Sequence, residues 1–317
     1  MNTTTRSITE QFQYWTLAAV PELKLRSDQP HVLVGCGTSY YLAQSVAAAL
    51  NEAGIPSLAV PGSEWLSRPE TYIKADAVPH VLAFSRSGES TETVQAAVRS
   101  RAASLHVTAL TCEAGSNLAR NADTVLHSAT HPEEGIVMTS SASLMLLGGL
   151  RLAGLSVGRA EIQAAQTLLE QASARLGAAT SDRTHFVFLG GGQLYGVAQE
   201  GALKLQEMSL SYTQAYHPME YRHGPVSLVD ERTLVVMLYH PGTQGEEARL
   251  AQELSSKGAR VIGLGGPGDL SFEVHGDASL RALTALPTLQ MLGECVARAK
   301  GLDSVAPRWL TKVVTLA

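Results

Sequence analysis

The chain has 317 residues, enough for two domains of ordinary size or one large α/β unit. Its 24 basic and 29 acidic residues give a formal net charge of −5, with 45% apolar and 17% charged residues. This is a globular composition without the basic surface that a nucleic-acid partner requires. Only Cys36, Cys112 and Cys295 are present, too few and too far apart for a disulfide framework or a cysteine zinc site.

The segment from Met1 to Gln13 carries Arg6 and Glu10 and lacks an apolar core, so no secretory signal is expected. Val32 to Val34 predicts a short strand, CGTS (Cys36 to Ser39) a turn, and Tyr40 to Ala53 an amphipathic helix. The pattern then repeats: strand Val81 to Phe84, turn SRSGES (Ser85 to Ser90), helix Glu92 to Ala103, and strand Leu105 to Leu110. Apolar strands alternating with helices predict an α/β fold, a parallel sheet covered on both faces. The apolar stretch Leu144 to Val157 is broken by Arg151 and is too short to span a bilayer. Glu161 to Ala178 reads as a helix linking two halves, giving expected domains of 1–165 and 166–317. A reduced, cytoplasmic protein without a membrane or nucleic-acid partner is the expectation.

The halves repeat one another. HVLVGCGTSYYLAQ, from His31, aligns with HFVFLGGGQLYGVAQ, from His185, when Val34 meets Leu189 (189 − 34 = 155). Gly37 then meets Gly192, Tyr40 meets Tyr195 and Gln44 meets Gln199. A second pair, HVLAFSRSGESTET and LVVMLYHPGTQGEE, aligns Gly88 with Gly242 (242 − 88 = 154). Two copies of one fold follow from offsets that agree within a residue.

Ligands in such sheets sit at the carboxyl ends of the strands, which directs attention to Thr38, Ser39, Ser85, Ser87, Ser90 and Thr91. Small hydroxyls and glycine at a helix start suit an anion, because free N–H groups point outward and the dipole favours negative charge. Serines also cap helices, but the repeat separates the two uses. The second-half equivalents of Ser39, Ser85 and Ser87 are Leu194, Tyr239 and Pro241. Both halves need caps, yet the hydroxyls persist in one, so a single phosphate site in the first half is expected. GCGTSY has Tyr40 where a dinucleotide fingerprint has its third glycine, and neither a P-loop nor a nucleophile elbow is present. No cofactor is expected.

In EGALKLQEM, Glu200, Lys204 and Glu207 share one helix face at i, i+4 and i+7. On an ordinary helix such a stripe is solvated. His217, Glu220 and His223 recur at three-residue spacing, but Pro218 and a loop-like context weaken the case for a metal. His223 precedes Gly224 and Pro225 and reads as a histidine at a sharp turn, able to move protons near neutrality. Lys312 lies among Val313, Val314 and Leu316, so the tail is expected to pack down and bring that lysine onto the body of the protein.

Together these segments resemble the sugar-isomerase (SIS) domain family in its tandem form, as in the isomerase half of glucosamine-6-phosphate synthase and the related stand-alone deaminases. The resemblance rests on CGTSYYLA (Cys36 to Ala43), SRSGEST (Ser85 to Thr91), EEGIVMTSS (Glu133 to Ser141), EGALKLQE (Glu200 to Glu207), EYRHGPVSLV (Glu220 to Val229) and PRWLTKVVT (Pro307 to Thr315). It implies two SIS domains, each a flavodoxin-like three-layer sandwich, with no metal. It implies a sugar-phosphate site of Cys36, Gly37, Thr38, Ser39, Ser85, Arg86, Ser87 and Ser90, with Glu134, Val137 and Thr139 lining it. Glu207 matches the glutamate that moves a proton between C1 and C2, and Lys204 a lysine near those carbons. His223 matches the ring-opening histidine, which the family takes from the neighbouring subunit of a homodimer. Lys312 matches the tail lysine that reaches the open-chain sugar.

Two positions depart from the synthase pattern: Arg86 replaces its usual glutamine, and Ser141 its lysine. Because the sequence begins almost directly at the sugar domain, glutamine-dependent synthesis is not expected. The resemblance then implies an isomerase and deaminase converting glucosamine 6-phosphate to fructose 6-phosphate and ammonia. A fructosamine-6-phosphate deglycase or another aldose–ketose phosphosugar isomerase would use the same residues. A non-catalytic phosphosugar sensor would keep the serines without needing Glu207, His223 and Lys312 together.

Overall fold

The structure, a computed structural model, describes residues 1–74 and 76–315. Two short helices, α1 (Thr3–Thr9) and α2 (Gln11–Leu17), open the chain. The first half runs β1 (His31–Gly35), α3 (Thr38–Glu52), β2 (Ser57–Pro61), β3 (His80–Phe84), α4 (Thr91–Ala102), β4 (Val107–Thr111), β5 (Thr124–His127) and α5 (Ser140–Leu152). Helix α6 (Arg159–Ser173) leads into the second half: β6 (His185–Gly190), α7 (Gln193–Ser209), β7 (Thr213–Tyr216), β8 (Thr233–Leu238), α8 (Gln244–Ser256), β9 (Arg260–Leu264), β10 (Leu270–Phe272) and α9 (Arg281–Ala299).

One sheet has the order β2-β1-β3-β4-β5 and the other β10-β9-β8-β6-β7. Every pairing is parallel. Both orders are the same sequence of steps, so the expected α/β duplication is present in full. Alternate strand residues point to opposite faces. Leu33 and Leu82 therefore enter a core that also holds Phe186, Phe188 and Leu234 of the other sheet. Val32, Val34 and Val81 face an outer layer of the first half, and Val187 and Val235 one of the second. The halves share one inner core. Helix α6, which spans residues 165 and 166, contributes Ala165, Leu168 and Leu169 to it.

A local two-fold relation organises the centre. Gly37 and Gly192, 155 positions apart (192 − 37), precede α3 and α7 with φ/ψ of 54°/−126° and 56°/−131°. The helices cross where the Ser45 hydroxyl donates to the Gln193 carbonyl at 2.7 Å and Thr38 Oγ1 donates to Glu200 Oε1 at 3.2 Å. Adding 155 turns residue 38 into 193 and 45 into 200, so the two contacts exchange. Gly196 faces its own equivalent: a Cβ there would lie 2.3 Å from the Tyr41 carbonyl oxygen and 2.5 Å from Ser45 Oγ.

The edge strands β2, β5, β7 and β10 and helix α9 have no counterpart in the elements expected from sequence. Strand β7 is half-buried throughout and β5 alternates half-buried with exposed, so neither offers an apolar run. Helix α9 is buried from Ala282 through Ala297 and contains Pro287, a residue that argues against a helix interior. The expected linking helix ends at Ser173, and Leu176–Ala179 forms a separate turn.

Gly196→Ala tests the close crossing. The added methyl has backbone on two sides, so overpacking should cost about 1–3 kcal/mol, read as a lower urea midpoint. An unchanged midpoint would contradict the crossing.

Candidate active site

Strands β1 and β3 are neighbours whose chains continue to opposite sides of the sheet, so the first half has its topological switch point between them. The CGTS and SRSGES turns sit at their carboxyl ends. In the second turn, Ser85 Oγ accepts the Gly88 N–H at 3.1 Å and Ser87 Oγ accepts the Glu89 N–H at 3.2 Å. Gly88 has φ 62°, and a Cβ there would lie 2.0 Å from Ser116 Oγ, so only glycine closes this turn. Ser90 is the N-cap of α4 yet makes no side-chain cap bond. Among the described residues, the hydroxyls of Ser39 and Ser90 and the backbone N–H groups of Arg86, Ser87 and Ser90 make no hydrogen bond. Capping therefore does not account for these serines, and the free donors suit an anion. Thr38 is committed to Glu200, and Cys36 Sγ lies 3.4 Å from Thr93 Oγ1 with its thiol pushed up by burial.

Facing this turn system is the charged stripe of α7, and the structure corrects its solvated reading. Glu200 is fully buried and Lys204 is 1% exposed, because α3 and α9 pack on this helix. Lys204 Nζ lies 3.5 Å from Glu200 Oε1 and 2.5 Å from Glu207 Oε2. Burial raises Glu200 to about 7, although Lys204 acts to lower it. Burial alone would lower Lys204; Glu200 and Glu207 outweigh it and hold the ammonium above its usual range. Glu207 keeps 21% of its side chain exposed. It opens onto a groove of about 610 Å³ lined by Leu203, Gln206, Tyr212, Arg308 and Trp309.

A third layer comes from the loop before α5 and from the tail. Glu134 is buried; its Oε1 accepts the Thr139 N–H at 2.7 Å, the Thr139 hydroxyl at 3.0 Å and the Ser141 N–H at 2.9 Å. It thus serves the N-terminus of α5 as a buried anion. The hydroxyls of Thr139 and Ser7 share a 2.6 Å hydrogen bond, and Val137 packs with Met208 and Ala297. Lys312 Nζ donates to the Glu134 carbonyl at 3.1 Å. The tail does come down onto the body, but through polar contacts: Val314 is 55% exposed, and Leu316 lies outside the described residues.

His223 is exposed between the turn Glu220–Arg222 and Gly224, which has φ 124°. Among the described residues its ring makes no hydrogen bond or ion pair, and within this chain it joins neither Glu207 nor Lys204. His217 instead stacks on Tyr195 at 3.8 Å, and no group of three or more described His, Cys, Asp or Glu residues is arranged to hold a metal. The site thus joins Lys204 and Glu207 on one helix, and Arg86, Glu134, Thr139 and Lys312 around one loop. Glu200 was absent from the expected site, although its i, i+4 spacing to Lys204 was visible.

A duplicated parallel sheet with a hydroxyl-lined switch point, free N–H donors suited to an anion and a buried lysine between carboxylates define the class of α/β protein. The SIS domain model matches residues 24–152 and 180–291, and the chain belongs to this family. The glutamine–fructose-6-phosphate aminotransferase (isomerizing) of Pyrobaculum aerophilum is 31% identical over 310 residues, covering 90% of this chain and 51% of that protein. The corresponding enzyme of Methanothermobacter thermautotrophicus is 32% identical over 310 residues, covering 89% and 51%. The chain therefore spans about half the length of these curated relatives. The glucosamine-6-phosphate deaminase structure from Thermotoga maritima superposes with a TM-score of 0.85 at 32% identity, covering 99% of this chain and 100% of that one. Tagatose-6-phosphate ketose/aldose isomerase from Escherichia coli shares the fold, with a TM-score of 0.84 at 24% identity over 96% of this chain and 95% of that one.

The buried carboxyl gives a pH prediction. Glu200 stands at about 7 in the fold against a usual 4.5, so the folded chain binds this proton more tightly. The stability it brings is complete below the unfolded value and is lost as pH rises through 7. Glu200→Gln cannot ionise and should escape that loss. Between about pH 5 and pH 8, wild type should lose roughly 1–3 kcal/mol relative to the variant in urea titrations. Parallel stability curves would contradict it.

Proposed function

We propose that the chain is a phosphosugar isomerase and deaminase that converts glucosamine 6-phosphate and water to fructose 6-phosphate and ammonia. The observation carrying this reading is the Lys204–Glu207 contact of 2.5 Å, with Glu207 partly exposed at its groove. A carboxylate so placed can take a proton, while a fully buried ammonium beside it stabilises negative charge developing on a neighbouring oxygen. The similarity of the Thermotoga maritima deaminase over its whole chain supports the choice of an amino sugar.

In this mechanism the SRSGES and CGTS turns hold the phosphate through the Ser39, Ser87 and Ser90 hydroxyls and the free N–H groups. That anchorage presents C1 and C2 of the open-chain sugar to Glu207. Glu207 removes the C2 proton, giving an enolamine, and returns a proton to C1. The product is a C2 ketimine, which water hydrolyses to the ketone with loss of ammonia. Lys204 and Lys312 stabilise negative charge on the sugar oxygens. His223 opens the ring from a second copy of the chain, so the enzyme acts as a homodimer; its exposure within one chain supports that arrangement.

Incubation with glucosamine 6-phosphate should release ammonia and fructose 6-phosphate in equal amounts. No turnover, with thermal stabilisation by phosphosugars, would overturn the deaminase in favour of a deglycase, another phosphosugar isomerase or a sensor. Glu207→Gln should lower kcat at least ~100-fold with substrate binding nearly intact; retained turnover would remove Glu207 from its role. Ser90→Ala should raise KM several-fold while shifting stability by less than about 0.5 kcal/mol, since no cap bond is lost. A large stability loss would make Ser90 a cap. Mixing Glu207→Gln with His223→Ala chains should restore part of the activity; two inactive proteins that stay inactive after subunit exchange would contradict a shared site.

A further inference from the structure

Arg86 occupies the middle of the phosphate turn, yet its guanidinium points away from the free N–H groups and is only 7% exposed. Nη1 donates to the Gly135 carbonyl at 3.1 Å. Nη2 donates to the carbonyls of Ile136 at 3.0 Å and Lys312 at 2.8 Å. The Glu134 carboxylate lies 3.9 Å from Nη1. One side chain therefore joins three segments remote in sequence: the turn after β3, the loop before α5, and the tail. Its planar fork spreads five donors over separated nitrogens, whereas a lysine gathers three on one atom and a glutamine amide has only two.

Among the described residues, few other contacts tie the tail to the body. Trp309 is 91% exposed with φ 66°, a left-handed conformation unusual for a bulky residue. Beyond it, among the described residues, the tail meets the body through the Arg86 bond, the 3.1 Å bond from Lys312 Nζ to the Glu134 carbonyl, and a long 3.4 Å contact from the Thr91 N–H to the Val314 carbonyl. A segment with few buried contacts opens easily, so the loss of one buried, charge-assisted bond shifts its position.

We propose that Arg86 is a positioning residue that latches the C-terminal tail over the phosphate turn and so sets the place of Lys312. Its backbone N–H lies among the phosphate donors while its guanidinium holds the lysine's own carbonyl, so one residue links the sugar's two ends. The kinetic part of this proposal rests on the reaction proposed above; the latch itself does not.

Two measurements test it. Trypsin should cleave after Arg308 and Lys312 at least tenfold faster in Arg86→Gln than in wild type, followed by mass spectrometry; equal rates would overturn the latch whatever the protein's reaction. In kinetics with glucosamine 6-phosphate, Arg86→Gln should lower kcat roughly 10–100-fold with KM changed less than about threefold, because the phosphate donors remain. The same substitution in a chain ending at Thr311 should then produce no further loss of kcat. A full additional loss in the truncated chain would show that Arg86 acts other than through the tail. Arg86→Lys, which keeps charge but not the fork, should resemble Arg86→Gln; wild-type behaviour would overturn the geometric basis. If neither wild type nor variants turn over, the failed reading is the reaction, and the trypsin rates still decide the latch.

Discussion

A fully buried ammonium between two carboxylates of its own helix is the constraint on which the site depends. Lys204 has no water to solvate it, so Glu200 and Glu207 must stay close, and truncating either carboxylate would strand charge in the interior. This fixes the side-chain geometry before any ligand arrives, a condition for electrostatic stabilisation of a reacting oxygen. The two carboxylates differ in environment. Glu200 is sealed and raised by burial to about 7, whereas Glu207 reaches its groove. Such a difference separates a residue that sets the field from one that meets a substrate.

The duplication explains how this arrangement arises once per chain. At the offset of 155, Glu200, Lys204 and Glu207 of α7 correspond to Ser45, Ala49 and Glu52 of α3. The buried Glu200–Lys204 pair thus belongs to the second half and the hydroxyl turns to the first. In the second half the position of Ser85 is taken by Tyr239, which is fully buried and donates its hydroxyl to the Pro267 carbonyl at 2.6 Å. Its ring also crowds Gly266, where a Cβ would lie 2.5 Å away. A buried, packed side chain thus stands in the second half where the first half has a small hydroxyl. Crossing α3 over α7 at Gly196 places the two complementary halves against each other.

Much of this was legible in the residues. The strands Val32 to Val34 and Val81 to Phe84 announce themselves as apolar runs because both faces are covered, and the glycine register exposes the repeat. The SRSGES turn stands out from its second-half counterpart because the equivalents lose their hydroxyls. Other features depend on the third dimension. The spacing of Glu200 and Lys204 is the same on a solvated helix as on a buried one, and the packing of α3 and α9 over them separates the cases. Helix α9 itself hides because Pro287 lies inside it. The reach of Arg86 to Lys312, 226 positions away, leaves no local pattern at all. His223 is visible as a histidine at a turn, but no partner for its ring lies among the described residues of one chain.

The central claim is that Glu207 carries a proton from C2 of the sugar to C1. Glucosamine 6-phosphate labelled with deuterium at C2 tests it directly. The account predicts a slower reaction with the labelled sugar and fructose 6-phosphate bearing part of the deuterium at C1, the remainder having exchanged with water; Glu207→Gln should abolish this transfer. Release of ammonia with the C2–deuterium bond intact would contradict the mechanism.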